Sequence, residues 1–507
     1  MPDLTDLQVD ALLKEARRNR DKAYDFTRQN DEEARDDLKF VAGEQWHRAD
    51  LDDRNNDGRP ALTINQMPQF VRQVTGDIRL NRPSIKVRPV DSGADKEKAD
   101  ILSGLIRHIE YQSRALRAYV TAAESAARCG IGHFRIVTEF SDDSSFNQDI
   151  RIRSIRSPFA VSWDPASEED DRSDAMWCFV VSEVDNETFK AQWPDASLSG
   201  WSKEDREWDE TLWRTRDTVT VAEYWRKERK VRTLCLLESG ETIDTTDFTD
   251  EQTALLPIVR KRTVDSHKVM QYLITDMEIL EGPFEWIGKD IPIIPVLGEQ
   301  VHIGERTVRH GMIRFAKDSQ RQYNYWQTTA TESMALAPKS PYLATQDQIE
   351  GYESMWNSAN KKNYSVLMYK HDPQVPGPPV RNSPPEFPVA AANMMQTAAQ
   401  DMHRTTGIYP PSLGAQGNET SGRAISLRQS EGDVGTYVYV ENTAYAIETA
   451  GRQMVDIIPK VYDAERVVRI LGEDDAETTL VLNQIVGQDD DGPIMANDIT
   501  LGRYDVV

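Results

Sequence analysis

ERTVRHGMIRFAKDSQRQYNYWQTTATESMALA, residues 305–337, is the stretch on which the fold turns. Val308, Met312, Phe315, Tyr323, Trp326, Ala330 and Met334 recur in it at three- and four-residue steps and their multiples, the spacing of one apolar helical face. Arg309, Arg314, Lys317 and Arg321 fall on other faces. An unbroken helix of this length would span roughly 50 Å, more than a small compact domain needs. Pro338 and Pro341 end it.

Beyond this helix the pattern predicts a compact insert that resembles a short βαβ unit. It consists of strand-like SPYLA (340–344), a polar helical stretch through Ile349, Tyr352 and Trp356, and strand-like YSVLMY (364–369). The Pro/Gly-rich linker PQVPGPPVRNSPPEFP (373–388) leads to a second helix. There Ala391, Met395, Ala398 and Met402 form a narrow stripe whose small residues let a neighbouring helix approach closely. Gly407 terminates it, and the glycines and prolines of 407–422 predict a mobile loop. A last long helix, 421–462, carries Gly432, Gly435 and Gly451, each costing about 1 kcal/mol against alanine, so a kink or close packing is expected there. The acidic tail surrounds a strand-like TLVLNQIV (479–486).

Working toward the N-terminus, Thr5 and Gln8 make a capping-box pattern ahead of a long amphipathic helix reaching about Trp46. Phe70, Val74 and Ile78 mark a second helix, which gives way to a short strand at Ile85 and Val87. A third helix is expected from Ala94 to Arg128, with Gly130 and Gly132 beyond its end. At His133 the period switches to two: HFRIVTEF and DIRIRSIR read as a hairpin, and WCFVVSEV, TVTVAEYW, KVRTLCLL and KVMQYLI as further strands. DIPIIPVLGE (290–299) is an apolar exit segment. The fold class is α+β and helix-rich.

Composition bounds the rest. The chain has 507 residues, which at roughly 150 per domain suggests about three lobes. Hydrophobic residues make up 39% and charged residues 28%, as in a soluble globular chain. No apolar run approaches the roughly 18 residues of a bilayer helix, and the N-terminus lacks the apolar centre of a secretory signal, so a cytosolic chain is expected. Cys129, Cys178 and Cys235 are odd in number and far apart, which points to buried free thiols. A formal charge of −24 argues against tight nucleic-acid binding by phosphate neutralisation, though not against letting DNA pass. It equally suits a subunit kept soluble before assembly.

Catalytic chemistry finds no foothold, and neither a cofactor nor a metal is expected. The nearest approach to a phosphate loop, Gly282-Pro-Phe-Glu-Trp-Ile-Gly288-Lys289-Asp290, has five spacer residues instead of four and Asp290 where a hydroxyl should hold magnesium. It reads as a surface turn. His302 and His310 stand eight apart, without metal spacing. Asp170, Asp171 and Asp174 read as a solvated loop. A metal-dependent nuclease and a capsid or scaffold component without a channel remain the alternative classes.

The order of parts resembles the portal family of tailed phages, and local sequence agrees. Ser157-Pro158-Phe159, Trp163-Asp164-Pro165 and Asp170-Asp171-Arg172-Ser173-Asp174-Ala175 look like the signature of its short-tailed-phage branch. So do His310-Gly311-Met312-Ile313-Arg314, Lys317-Asp318, Gln320, Tyr323-Asn324 and Glu332, together with Glu419-Thr420-Ser421-Gly422-Arg423-Ala424-Ile425. The resemblance implies a non-enzymatic subunit of a dodecameric ring at a unique capsid vertex. Double-stranded DNA would be packaged and ejected through it, and terminase, major capsid and scaffolding proteins and tail adaptors would be its partners. Such a ring assembles in the host cytoplasm, resides in the virion and has no membrane partner.

By that likeness residues 1–303 form the wing, 304–337 and 384–407 the two stem helices, 338–383 the clip and 408–420 the tunnel loop. Residues 421–462 form the long wing helix, and 463–507 a C-terminal β-containing segment at the base of the crown. The likeness carries Tyr409, Pro410, Gln416, Asn418 and Thr420 to the DNA channel, where a loop neutral but for Glu419 would touch DNA without clamping it; by composition it is equally a surface loop. Lys317 and Arg321 would make weak phosphate contacts in the stem, or be ordinary solvated charges. Tyr352, Trp356, Lys361 and Lys362 would form the clip's docking surface, or its aromatics a small satellite core. Chains of this branch usually continue past Gly502–Val507 into a crown, so a truncation or a missing crown is expected here.

Overall fold

The computed structural model describes residues 5–90, 95–198, 218–238, 242–246, 248–304, 306–335, 342–359, 362, 364–381, 389–409, 434–463, 466–472, 477–489, 492–497, 499 and 504–506. Its α+β chain divides into two compact units. Met1–Leu38, Gln69–Arg314 and Pro411–Val507 make one; Lys39–Pro68 and Phe315–Pro410 make the other.

The first unit is organised by an antiparallel sheet. Its strands run in the order Val161–Trp163, Trp177–Asp185, Thr218–Leu237, Ile258–Ile274, Ile279–Trp286, with Thr242–Asp244 added beside the far end of Thr218–Leu237. Around Trp177–Val180, Val219–Trp225 and Val269–Ile274 period-two alternation gives it two buried faces, while the first half of Ile258–Ile274 is largely exposed. On one, Trp177, Phe179, Ala222, Tyr224, Met270 and Tyr272 receive Leu12, Leu13, Ala16 and Ala23 of the helix Asp6–Ala42. On the other, Cys178, Val180, Trp225 and Val269 pack with Ile155, Ile291 and Ile293. Phe179 stacks on Tyr224 with ring centroids 4.6 Å apart. Each such fully buried large side chain contributes roughly 2–3 kcal/mol. The Asp6–Ala42 helix starts where the sequence places it, with the Thr5 amide donating to Gln8 Oε1 at 2.9 Å.

A second sheet, Ile293–Leu297, Ile131–Phe140 and Gln148–Ile155, carries the helices Lys96–Ser113 and Ala115–Cys129 on one side. Val434–Val461 packs beside them. At Gly451 a Cβ would lie 2.8 Å from Val506 Cγ1 and 2.9 Å from Ile85 Cγ2, so close packing accounts for that glycine. The short strand Val87–Pro89 pairs with Tyr504–Val506, which joins two segments of this unit that lie far apart in the chain.

Three sequence expectations change. The helix expected over 305–337 begins only at Lys317: Glu299–Ile303 and Arg306–His310 form a hairpin around Gly304, whose φ of +62° suits the turn. The helical steps from Val308 to Phe315 are coincidental, and the helix that does form is about 28 Å long, not 50. The helix expected from Ala94 to Arg128 is two, broken at Arg114 with φ +51°. The break lets Ser113 Oγ accept from the Ile152 amide at 3.0 Å and Gln112 Oε1 from Arg151 at 2.6 Å, so the sheet's edge offsets the left-handed backbone. In the insert, Tyr342–Leu343 pairs antiparallel with Val380–Arg381, so it is not a βαβ unit, and YSVLMY is no strand.

Candidate functional site

The helix Lys317–Ala335 turns an unusual face inward. Gln320, Asn324 and Thr328, four residues apart, are fully buried, while Tyr323 and Trp326 of the expected apolar stripe are only half-buried. What covers this polar face is the extended segment 59–66 of the same unit. The amides of Leu62, Ile64 and Gln66 donate to Thr328 Oγ1 at 3.1 Å, Asn324 Oδ1 at 3.0 Å and Gln320 Oε1 at 3.0 Å. The spacings match physically. Two extended residues advance about 6.7 Å and four helical residues about 6 Å, so alternate amides meet successive turns with the chains antiparallel.

The ladder is closed on all sides. Gln320 Nε2 returns a bond to the Ile64 carbonyl at 2.9 Å, and Asn324 Nδ2 donates to Gln45 Oε1 at 2.7 Å. Gln45 in turn reaches Asn65, whose Nδ2 donates to the Val41 carbonyl. At the far end Glu332 takes Arg59 at 2.7 Å and Arg54 at 3.3 Å. Arg59 holds the Glu332 carboxyl below the usual range. Every buried polar group in the ladder thus finds a partner, as a low-dielectric interior demands. Val389–Thr406 packs against Lys317–Ala335, burying Ala391, Ala398 and Met402, the small-residue stripe that the sequence singles out.

In the first unit the His310–Arg314 motif is a backbone junction. A Cβ on Gly311 would fall 2.4 Å from the Ala127 carbonyl oxygen, one on Gly132 2.0 Å from that of Ala122, and one on Gly298 2.7 Å from that of His310. Only glycine permits these approaches, and the Met312 amide donates to Ala127 O at 3.0 Å through the gap. Arg314 then binds the buried Asp37 at 2.7 Å and also Glu33. Arg309 pairs with Asp31 at 3.3 Å.

The aspartate-rich loop is built rather than merely solvated. Asp174 accepts from Ser167 Oγ at 2.6 Å and from the Glu168 amide at 2.6 Å. Burial opposes ionisation there, yet these bonds hold the carboxyl below its usual range. Beneath it His133 accepts from Trp163 Nε1 at 3.3 Å; burial, then the charges of Arg309 and Arg172, push its pKa down to about 3. The three cysteines are buried and free, and burial pushes the Cys129 thiol up to about 12. The stretch Gly282–Asp290 is not a surface turn: most of it lies in the strand Ile279–Trp286, and Lys289 pairs with Asp456 at 2.9 Å. Among the described residues no cluster of three or more His, Cys, Asp and Glu is placed to hold a metal ion, and no helix is long and apolar enough to cross a membrane.

The individual site residues fall as follows. Lys317 is buried, so its ammonium has little surface to offer. Arg321 is half-buried, its guanidinium 5.2 Å above the Phe40 ring and 3.4 Å from Asp318. Tyr409 is exposed just past the buried Ile408, whose carbonyl meets His403 Nδ1 at 2.8 Å. Pro410, Gln416, Asn418, Thr420 and Lys361 lie outside the described residues. Lys362 is exposed. Tyr352 is half-buried, and Trp356 donates to the Met368 carbonyl at 2.9 Å while its ring meets Tyr342 edge-on at 5.0 Å. Trp356 is half-buried, with its indole N–H paired inside the insert. Among the described residues the large apolar side chains that the insert exposes are Leu343, Val366, Met368, Tyr369, Val375 and Val380.

The polar ladder went unread in the sequence because apolar periodicity cannot report a buried polar face. The four-residue recurrence of Gln320, Asn324, Thr328 and Glu332 is the signal that could have found it.

A model of the Phage P22-like portal protein family matches residues 17–507. The portal protein of Acyrthosiphon pisum secondary endosymbiont phage 1 is 25% identical over 468 residues, covering 88% of this chain and 65% of that protein. The chain thus spans less than two thirds of that relative's length. A match that runs from residue 17 through the ladder, the glycine junction and the last strand leaves one assignment: the chain belongs to the family of P22-like phage portal proteins.

Proposed function

We propose that the protein is a structural, non-enzymatic subunit of a dodecameric ring at one vertex of a phage capsid, through which double-stranded DNA is packaged and later ejected. Residues 315–335 and 389–406 are its stem pair, 342–381 the clip that docks the terminase motor and then tail adaptors, and 434–461 the long wing helix. Tyr409 opens the tunnel loop, and Arg321 is the better stem candidate for a phosphate contact because Lys317 is buried. Scaffolding and major capsid proteins are the partners of the wing. Such rings assemble in the host cytoplasm and reside in the virion.

The observation that carries this reading is the family match over residues 17–507. The geometry supports it. A conduit must keep its shape while a charged polymer slides past, and the Gln320–Asn324–Thr328–Glu332 ladder stiffens the stem helix with bonds that are individually modest but cooperative. The chain's −24 charge opposes DNA phosphates at short range, which favours passage over capture.

End-on electron microscopy and mass measurement of the purified chain test the reading. Closed rings of twelve copies with a central hole are expected. A chain that stays monomeric at assembly concentrations, or that cleaves DNA or hydrolyses nucleotide with sustained turnover, overturns it.

A further inference from the structure

The strands Thr218–Leu237 and Ile258–Ile274 pair along their length, but Ile279–Trp286 covers only Val269–Ile274. Among the described residues the outer edge of Ile258–Lys268 therefore carries no strand. At about 3.4 Å per residue this open edge runs roughly 37 Å. Its chemistry is lopsided. The two paired segments 226–237 and 258–268 hold nine Lys and Arg against two carboxylates, Glu228 and Asp265, in a chain of net charge −24.

Most of those cations have partners: Arg226 and Lys268 pair with Glu228, Lys227 with Asp290, Arg229 with Asp265 and Arg232 with Asp244. Arg260, Lys261 and Arg262 do not. All three are exposed, stand consecutively on the open edge, and meet no carboxylate among the described residues. Their cross-strand neighbours are Leu236, Cys235 and Leu234, none of which can neutralise them.

We infer that the Arg260–Lys261–Arg262 edge is an ionic contact for a second copy of this chain, laid against an acidic surface of its neighbour. This rests on the ring reading. Identical copies of charge −24 repel one another at each closing contact, and a ring needs two different patches that complement each other. With +7 removed in the two basic segments, the remainder of the chain carries −31, so an acidic counterpart is present in every neighbour at equal concentration. Opposite charges across such a contact set register and speed encounter.

The test uses the full chain and two triple variants, R260E/K261E/R262E and R260Q/K261Q/R262Q, with ring formation followed by sedimentation in low and high salt. The glutamate variant is expected to form rings about tenfold more slowly than wild type in low salt, the glutamine variant to fall between, and the three to converge in high salt. Melting curves unchanged from wild type show that the fold is intact; should the glutamate variant melt early, the glutamine variant decides. Wild-type rings with variants that assemble at the wild-type rate overturn this inference alone, including where the variants only aggregate more or lose binding to a short DNA duplex. Wild type that never forms rings removes the ring reading and this inference with it.

Discussion

Asn324 donates from Nδ2 to Oε1 of Gln45 at 2.7 Å, with neither side chain reaching solvent. The same amide accepts from the Ile64 backbone and from Gln320 Nε2, both at 3.0 Å, so a single side chain satisfies three buried partners. Asn324→Ala takes this partner from Gln45 Oε1 and from the Ile64 amide and leaves Gln320 Nε2 only its bond to the Ile64 carbonyl, and each unmade buried bond costs about 1–3 kcal/mol. Urea unfolding of the full chain should show a loss of about 2–4 kcal/mol, and limited proteolysis should cut first within residues 43–66. A stability within 0.5 kcal/mol of wild type, with that segment still protected, would mean the ladder is decorative.

Gly311 and Gly58 separate two reasons for a glycine. At Gly58 the φ is +65° with open space around, so Gly58→Ala carries only the left-handed penalty of about 1–2 kcal/mol. At Gly311 a Cβ would meet the Ala127 carbonyl at 2.4 Å, and the helix end of Ala115–Cys129 cannot retreat because Gly130 and Gly298 pack there too. Gly311→Ala is therefore expected to cost on the order of 3 kcal/mol or more. Soluble yield and melting temperature measured side by side check the ordering; equal effects would sink the junction argument.

Period-two runs such as WCFVVSEV delivered the sheet because both of its faces are buried against apolar partners, and the stripe Ala391–Met402 delivered its helix for the same reason. Where the buried partner is a polar side chain or a backbone, apolar spacing is silent. Gln320 and Asn324 read as motif letters without a mechanism until segment 59–66 is seen to run antiparallel along them. Val308 and Met312 misled because hairpin and helix share a four-residue coincidence that only Gly304 and Gly311 break. The site residues were less legible still. Trp356 reads in sequence as a docking aromatic or as part of a satellite core, and its hydrogen bond to the Met368 carbonyl depends on a chain reversal no local pattern encodes.

His133 should make the fold acid-sensitive. Its folded pKa, pushed down to about 3 by burial and by Arg309 and Arg172, lies below the ordinary 6.5, so the unfolded state binds the extra proton first. Stability is fully present above pH 6.5 and declines as pH falls toward 3. His133→Gln keeps an acceptor for Trp163 Nε1 without a titrating ring. Its melting temperature should vary less than wild type between pH 6.5 and 4.5, and parallel profiles for the two proteins would refute the assignment.

Glu110 should act in the opposite sense. Burial raises its carboxyl to about 7, against smaller lowering by the Tyr119 hydroxyl, which donates at 2.8 Å, and by Arg107. The folded state therefore holds a proton that the unfolded chain releases near 4.5, and stability is fully present below that value and lost as pH rises to 7. The loss is on the order of 2–3 kcal/mol. Glu110→Gln still accepts from Tyr119 but cannot ionise, so it should match wild type at pH 4.5 and melt several degrees higher at pH 8. Ring formation measured across the same range separates a local effect from an assembly effect: if Glu110 matters only inside its own subunit, the glutamine variant shifts the melting profile while the pH dependence of assembly stays that of wild type. A variant no more stable than wild type at pH 8 would show that Glu110 is already ionised at little expense in the fold.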